Sequence, residues 1–376
     1  MAAPVAPNYA ENTYLPRPDA EREGIALCLS GGGFRAALFH LGALRRLNEW
    51  GILQAVTTIT SVSGGSLIAA QLVKTLERWH AAPMPAGEWD EHVAAPFRSF
   101  TSRNLSAAPV AVGWLLFPTD AGLRFLARRC DERLTPLRLM DLPERPRFMF
   151  CTADLVTGKL FVVDRHHQPT WSVGKAAAAS SCFPGYFRPL RQTTPHLIAL
   201  VDGGVADNRG VEPVWKDHFM VIVSDGGDVL RPTWSKSLFW LARSAYVVWN
   251  QGEQIRKRWL LSNFLAGKMK GVYWGIGSAA VHYQSSQSSP FPGYSDALAR
   301  DVIASVRTDY DAFSDAEASV LENHGYLLAD AGIRTHLANP NSPAPPLQVP
   351  HPAWLSEQKV RQALKDSSKK KLFGRH

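Results

Sequence analysis

Residues 27–47, LCLSGGGFRAALFHLGALRRL, run as an apolar strand into three glycines and leave them as a helix. Gly31, Gly32 and Gly33 let the backbone bend sharply and set unpaired N–H groups at a helix start, where the helix dipole favours negative charge. That geometry serves a phosphate, an oxyanion or merely close packing of strand on helix, and the triplet alone does not choose among them. A Walker loop needs Gly-Lys-Ser/Thr after its glycines, whereas Phe34-Arg35-Ala36 follows here. A dinucleotide fingerprint wants glycine where Ala36 stands and an acidic residue after a second strand. Both nucleotide readings therefore lose ground.

Working outward, GIALCLS (24–30) is a first strand, and the helix after the glycines carries Ala37, Leu38, Leu41, Leu44 and Leu47 on one face, with Gly51 placed to cap it. AVTTITSVS (55–63), rich in Val, Ile and Thr, is a second strand, and GGSLIAAQLVKTLERWH (64–80) has helical spacing. Two strand–turn–helix units so close together imply an α/β chain whose sheet is largely parallel and covered by helices. Further on, RFMFCTADLVTGKLFVV (147–163) reads as two strands joined by a turn, VGKAAAASSCFPGYFRPL (173–190) as a helix ending near Pro184, and HLIALVDGGVADN (196–208) and HFMVIVSDGGD (218–228) as strands ending in glycine turns. The expected organisation is an N-terminal arm (1–23), a core (24–230) with a proline-framed helical insertion at about 81–145, a mainly helical part (231–338), and a Pro-rich linker, short helix and basic tail (339–376).

The chain has 376 residues, 45% hydrophobic and 20% charged, as expected of a folded globular protein. Cys28, Cys130, Cys151 and Cys182 show no C-x-x-C spacing, so free thiols are expected, with no metal site and no cofactor. The N-terminus lacks a basic start followed by an apolar core, and the longest apolar stretch, AAPVAVGWLLFP (107–118), is too short to span a bilayer. A cytoplasmic protein, membrane-peripheral at most, is expected. A net charge of +8 favours anionic partners. The terminal SSKKKLFGRH is either a solvated tail or a contact for anionic lipid, and no nucleic-acid motif accompanies the charge.

The second turn, SVSGG (61–65), sets Ser63 between a strand and a helix with small residues two positions either side, the arrangement of a nucleophile elbow G-x-S-x-G with Ser61 for the first glycine. The alternative is a turn whose hydroxyls, those of Ser61, Ser63 and Ser66, cap the following helix. A serine needs a base. None of the 12 histidines stands in a catalytic setting, and His40 lies within the first helix. An aspartate ending a strand before glycines is the other option, offered twice, by Asp202 in VDGG and Asp225 in SDGG.

Together the three turns resemble the patatin-like phospholipase family, with GGGFRA, SVSGG and DGG (202–204) in the family's order. AAAASSCFPGYFRP (176–189) is similar to the family segment preceding its aspartate motif, and TDYDAFSDAEASVLENHGY (308–326) to the C-terminal part of some bacterial members. The resemblance implies a three-layer α/β/α fold with a mainly parallel central sheet and helical additions. It selects Asp202 over Asp225 and implies a Ser63–Asp202 dyad without histidine. It places the oxyanion hole at Gly31, Gly32, Gly33 and Phe34, with Arg35, Ser61, Gly65, Gly203 and Gly204 in supporting positions. The implied substrate is a phospholipid or other acyl ester, with peripheral contact to an anionic membrane. Arg35 either attracts a lipid phosphate or forms a buried ion pair, and Trp114, Leu115, Leu116 and Phe117 either meet the interface or join the core. A Ser-His-Asp esterase using His282 or His324, and a nucleotide- or phosphate-binding protein, are the rival readings.

Overall fold

A computed structural model of the chain describes residues 22–105, 121–184, 186–193, 196–227, 239–283, 291–339, 343–365 and 367. Eight strands form one sheet: β1 (Ile25–Leu29), β2 (Thr58–Val62), β3 (Arg147–Asp154), β4 (Lys159–Val163), β5 (Leu190–Gln192), β6 (Ile198–Asp202), β7 (Met220–Asp225) and β8 (Lys270–Gly275). The order is β5-β6-β3-β2-β1-β7-β8, with β4 pairing β3 beside this path. The run β3-β2-β1-β7-β8 is parallel throughout, whereas β4, β6 and β5 are antiparallel additions at one edge. Every residue of β2 and all but the first of β1 are buried, because helices cover both faces, and so these strands lack polar alternation.

The helices that matter for the site are α1 (Gly33–Glu49), α2 (Gly64–Lys74), α3 (Ala121–Arg133), α4 (Val173–Ser180), α5 (Phe239–Leu265) and α6 (Asp315–His336). Helices α1 and α6 pack backbone against backbone: a Cβ at Gly42 would stand 1.8 Å from Glu322 O, and one at Gly325 would stand 1.8 Å from Phe39 O. Only glycine permits that approach. Ser314 and Glu317 form a reciprocal cap that starts α6. At its other end Arg46 of α1 bonds Asp330 at 2.7 Å and the carbonyls of Pro345 and Pro346 at 2.9 and 3.0 Å. The Pro-rich stretch is thereby held against α1 and α6, with Asn323 also bonding the backbone of His351 from both its amide atoms.

The region read as mainly helical also supplies β8. Val272, Tyr273 and Trp274 are strand formers, and their side chains are buried against the sheet beside β7. Within the proline-framed stretch, Trp89, Phe97 and Leu126 belong to the main core. Trp114, Leu115, Leu116 and Phe117 lie outside the described residues, as does most of the basic tail. All four cysteines are buried free thiols. Among the described residues no helix is long and apolar enough to cross a membrane.

Candidate active site

The length of β3 brings the second and third glycine turns together. Its eight residues outrun the five of β2, whose last residue, Val62, stands beside Cys151. The next position along, Thr152, is taken by Asp202 at the end of antiparallel β6. Since β4 occupies the opposite edge of β3 over these residues, β2 and β6 run toward each other along one edge and end face to face. The chain cannot continue straight past Val62. It turns off at Ser63 into α2.

The turn is strained. Ser63 has φ 52° and ψ −119°, and it is the non-glycine residue with positive φ among those described. Such a conformation costs ~1–3 kcal/mol and persists only where its surroundings over-determine it. Here the serine pair at the end of α4 does so. Ser63 N donates to Ser180 O at 3.2 Å and to Ser180 Oγ at 3.0 Å, and Ser181 Oγ donates to Ser63 O at 3.1 Å. The Ser180 hydroxyl in turn donates to Cys151 O at 2.6 Å, and Ser66 Oγ lies 2.8 Å from it and 3.0 Å from Ser61 Oγ. One residue further on, Cys182 O accepts from Asp202 N at 2.9 Å. The segment AAAASSC thus fixes both strand ends. Gly64 is required by crowding, since a Cβ there would lie 2.0 Å from Gly33 O.

Ser63 and Asp202 are 6% and 3% exposed. Burial raises the Asp202 carboxyl from 3.8 to about 6, opposed by hydrogen bonding from Ser63 and from the Gly204 amide, which reaches Oδ1 at 2.8 Å. The close hydrogen bond of the Ser63 hydroxyl, however, is with Tyr310 Oη at 2.9 Å. Asp225 is differently placed. It accepts from Arg209 at 2.7 Å, Tyr273 at 2.8 Å and Gly227 N at 2.9 Å, and although burial opposes ionisation, Arg209 and Lys257 hold its carboxyl well below the usual range.

The first glycine turn lies across from Ser63. Gly32 and Gly33 line the same cavity as Ser63 and Asp202, and as the opening residues of α1 their amides have no acceptor within the helix. The flanking amides are already engaged, Gly31 N with Asn208 O at 2.9 Å and Phe34 N with Asp309 O at 3.2 Å. Arg35 is buried, and its guanidinium bonds the carbonyls of Gly226, Ala304 and Val306 at 3.0 to 3.3 Å. It braces two segments behind the loop, the turn after β7 and the stretch 304–306, rather than facing a ligand. Ser61 is buried beneath the turn, Gly65 sits where a Cβ would meet Leu29 O at 2.4 Å, and Gly203 where one would meet Cys151 O at 2.3 Å.

The cavity holds about 150 Å³ and its wall is aromatic, with Phe183, Phe187, Tyr246, Trp249 and Tyr310. Trp249 of α5 is anchored by donating to Gly204 O at 2.5 Å. Among the described residues no histidine lines it. His40 and His324 are buried elsewhere, bonded to Ser30 O and Ile276 O, and burial pushes each down to about 4. His282 pairs at the surface with Asp296 at 3.3 Å. The sequence reading passed over Ser180, Ser181, Trp249 and Tyr310. The serine pair and the tyrosine do lie in the two accessory segments, SSC and TDYDAF, that the family resemblance had picked out.

A mainly parallel α/β sheet with a serine at a strained strand-to-helix turn and an acid at the abutting strand end is the architecture of an ester hydrolase. Residues 27–215, half of the chain, match the patatin-like phospholipase family, and the chain belongs to it. Among curated proteins none matches the sequence significantly. Similar solved structures include human GIVD cytosolic phospholipase A2 in complex with methyl gamma-linolenyl fluorophosphonate, at 11% identity and a TM-score of 0.45, over 92% of this chain and 59% of that one. VipD from Legionella pneumophila is similar at 15% identity and a TM-score of 0.35, over 84% of this chain and 68% of that one. ExoU of Pseudomonas aeruginosa, in complex with SpcU, is similar at 18% identity and a TM-score of 0.28, over 60% and 46%. The chain therefore spans about three fifths of the human enzyme's length.

Proposed function

We propose that the chain is a serine acyl hydrolase that cleaves fatty-acyl esters, phospholipids among them, with Ser63 as nucleophile and Asp202 as base. The observation that supports this most is the end-to-end meeting of β2 and β6 on one edge of β3, which leaves a strained serine and a buried carboxylate as neighbours. Asp202 takes the Ser63 proton as Oγ attacks the ester carbonyl, and the first-turn amides of Gly32 and Gly33 hold the developing oxyanion. One such donor is worth about 2.7–4 kcal/mol of transition-state stabilisation. Asp202 then protonates the departing alcohol, and water releases the acyl group. The aromatic wall receives the start of the acyl chain.

The outer face of α5 favours contact with an anionic bilayer. Leu241, Val248 and Ile255 follow at seven-residue spacing and are 56%, 74% and 59% exposed, with Arg256 and Arg258 exposed beside them. The inner face of the same helix carries Tyr246 and Trp249 into the cavity wall, so docking would bring the cavity to the lipid. The test of the function is release of free fatty acid from phospholipid by purified protein. The wild type and a His282→Ala variant should both release it, and Ser63→Ala should not. Undiminished release by Ser63→Ala sinks the proposal.

A further inference from the structure

The dyad and the glycine amides leave unexplained the group closest to the nucleophile. Tyr310 Oη stands 2.9 Å from Ser63 Oγ. Its ring is fixed edge-on against Phe34 at 5.5 Å and tilted against Phe187 at 6.5 Å, and its own carbonyl accepts from Leu105 N at 2.8 Å. A phenylalanine would fill that aromatic wall equally well, so the hydroxyl is the part that packing does not need. Burial, together with the charge of Asp202, pushes the phenol well above its ordinary 10 against hydrogen bonding with Ser63 and Ser181, so it keeps its proton and has one to donate when negative charge grows on Oγ.

A donor already bonded to a nucleophile's oxygen does little for the attack itself, because it stabilises that oxygen in the resting enzyme before the new bond forms. Its value lies in the second half of the reaction, where that same oxygen departs. We infer that Tyr310 is a third catalytic group, the hydrogen-bond donor that stabilises Ser63 Oγ as it leaves the acyl-enzyme. The inference rests on Ser63 being the acylated residue. In this step the water oxygen bonds to the acyl carbon and its proton passes to Asp202. The bond from the acyl carbon to Oγ then breaks, its electron pair going to Oγ, which regains the proton from Asp202. Tyr310 retains its own proton and donates only a hydrogen bond while negative charge grows on Oγ. A fatty acid and free Ser63 result.

Tyr310→Phe tests this with a p-nitrophenyl acyl ester, which reports acylation by coloured product and deacylation by steady turnover. The expected result is a burst of product equal to the enzyme present, followed by turnover at least tenfold slower than wild type, since loss of one donor to a developing oxyanion costs about 10²–10³-fold. The acyl group should accumulate on the Ser63 peptide, and labelling by a fluorophosphonate, which mimics acylation, should stay within about threefold of wild type. Labelling and turnover falling in step, or turnover unchanged with no burst, would overturn the assignment. A variant carrying 3-fluorotyrosine at 310, which keeps the donor, gives an independent reading: it should turn over without a burst, and a slow, bursting fluorotyrosine enzyme also overturns it. An acyl group found on another residue means instead that the Ser63 reading has failed and takes this inference with it.

Discussion

Replacing Asp202 by asparagine should abolish hydrolysis and at the same time stabilise the fold at neutral pH. The side chain keeps its shape, and its oxygen still accepts from Gly204 N, so the change removes little but the charge. A carboxyl whose pKa rises from 3.8 in the unfolded chain to about 6 in the folded one favours folding only while protonated. That contribution is fully present below pH 3.8 and is lost as pH rises through about 6. The loss corresponds to ~3 kcal/mol, applied without a discount for solvent because the group is 3% exposed. Urea unfolding of wild type and Asp202→Asn at several pH values isolates the term, since every other titrating group is common to both. The two proteins should unfold at matching midpoints near pH 4, and the variant should become more stable by ~3 kcal/mol by pH 7. A difference independent of pH, or a variant less stable at pH 7, would refute the burial argument for Asp202.

On the proposed mechanism the same carboxyl governs the pH dependence of catalysis: kcat/KM should climb with pH to a plateau above about 6, and a profile falling between pH 5 and 7 would be inconsistent with an ionised Asp202 as base. Arg35→Met should lower thermal stability by several kcal/mol, because the carbonyls of Gly226, Ala304 and Val306 lose their donor at ~1–3 kcal/mol each, and Arg35→Lys should not restore it. Val248→Asp and Ile255→Asp together should weaken binding to vesicles containing anionic lipid at least tenfold by sedimentation while leaving hydrolysis of a water-soluble ester unchanged. Equal binding by both proteins would remove α5 from the membrane contact.

The glycine turns, the serine between small neighbours and the two strand–turn–helix units could all be read along the chain, because each is a local pattern in which Gly, Ser and β-branched residues have few conformations to choose from. Their meeting is reached only through the family resemblance, not from any local pattern. It depends on β3 being three residues longer than β2 and on which edge of β3 receives β6, facts about pairing rather than composition. Tyr310 was out of reach for the same reason, lying 247 residues beyond Ser63 in an irregular segment whose placement is set by the packing of Phe34, Phe187 and Leu105. The engagement of Phe34 N by Asp309 O narrows the free amides to Gly32 and Gly33, which only a tertiary contact could reveal. Strand β8 was hidden differently: GVYWG had strand-forming residues in plain view, but it sits directly after a 27-residue helix and was absorbed into it.

The most direct measurement is the site of covalent attachment of a fluorophosphonate to the purified wild-type chain, read by peptide mass spectrometry. Attachment at Ser63, absent in Ser63→Ala and sharply slowed in Asp202→Asn, is the expected result. A label on any other side chain, or labelling of Ser63 at full rate without the Asp202 carboxylate, would contradict the account.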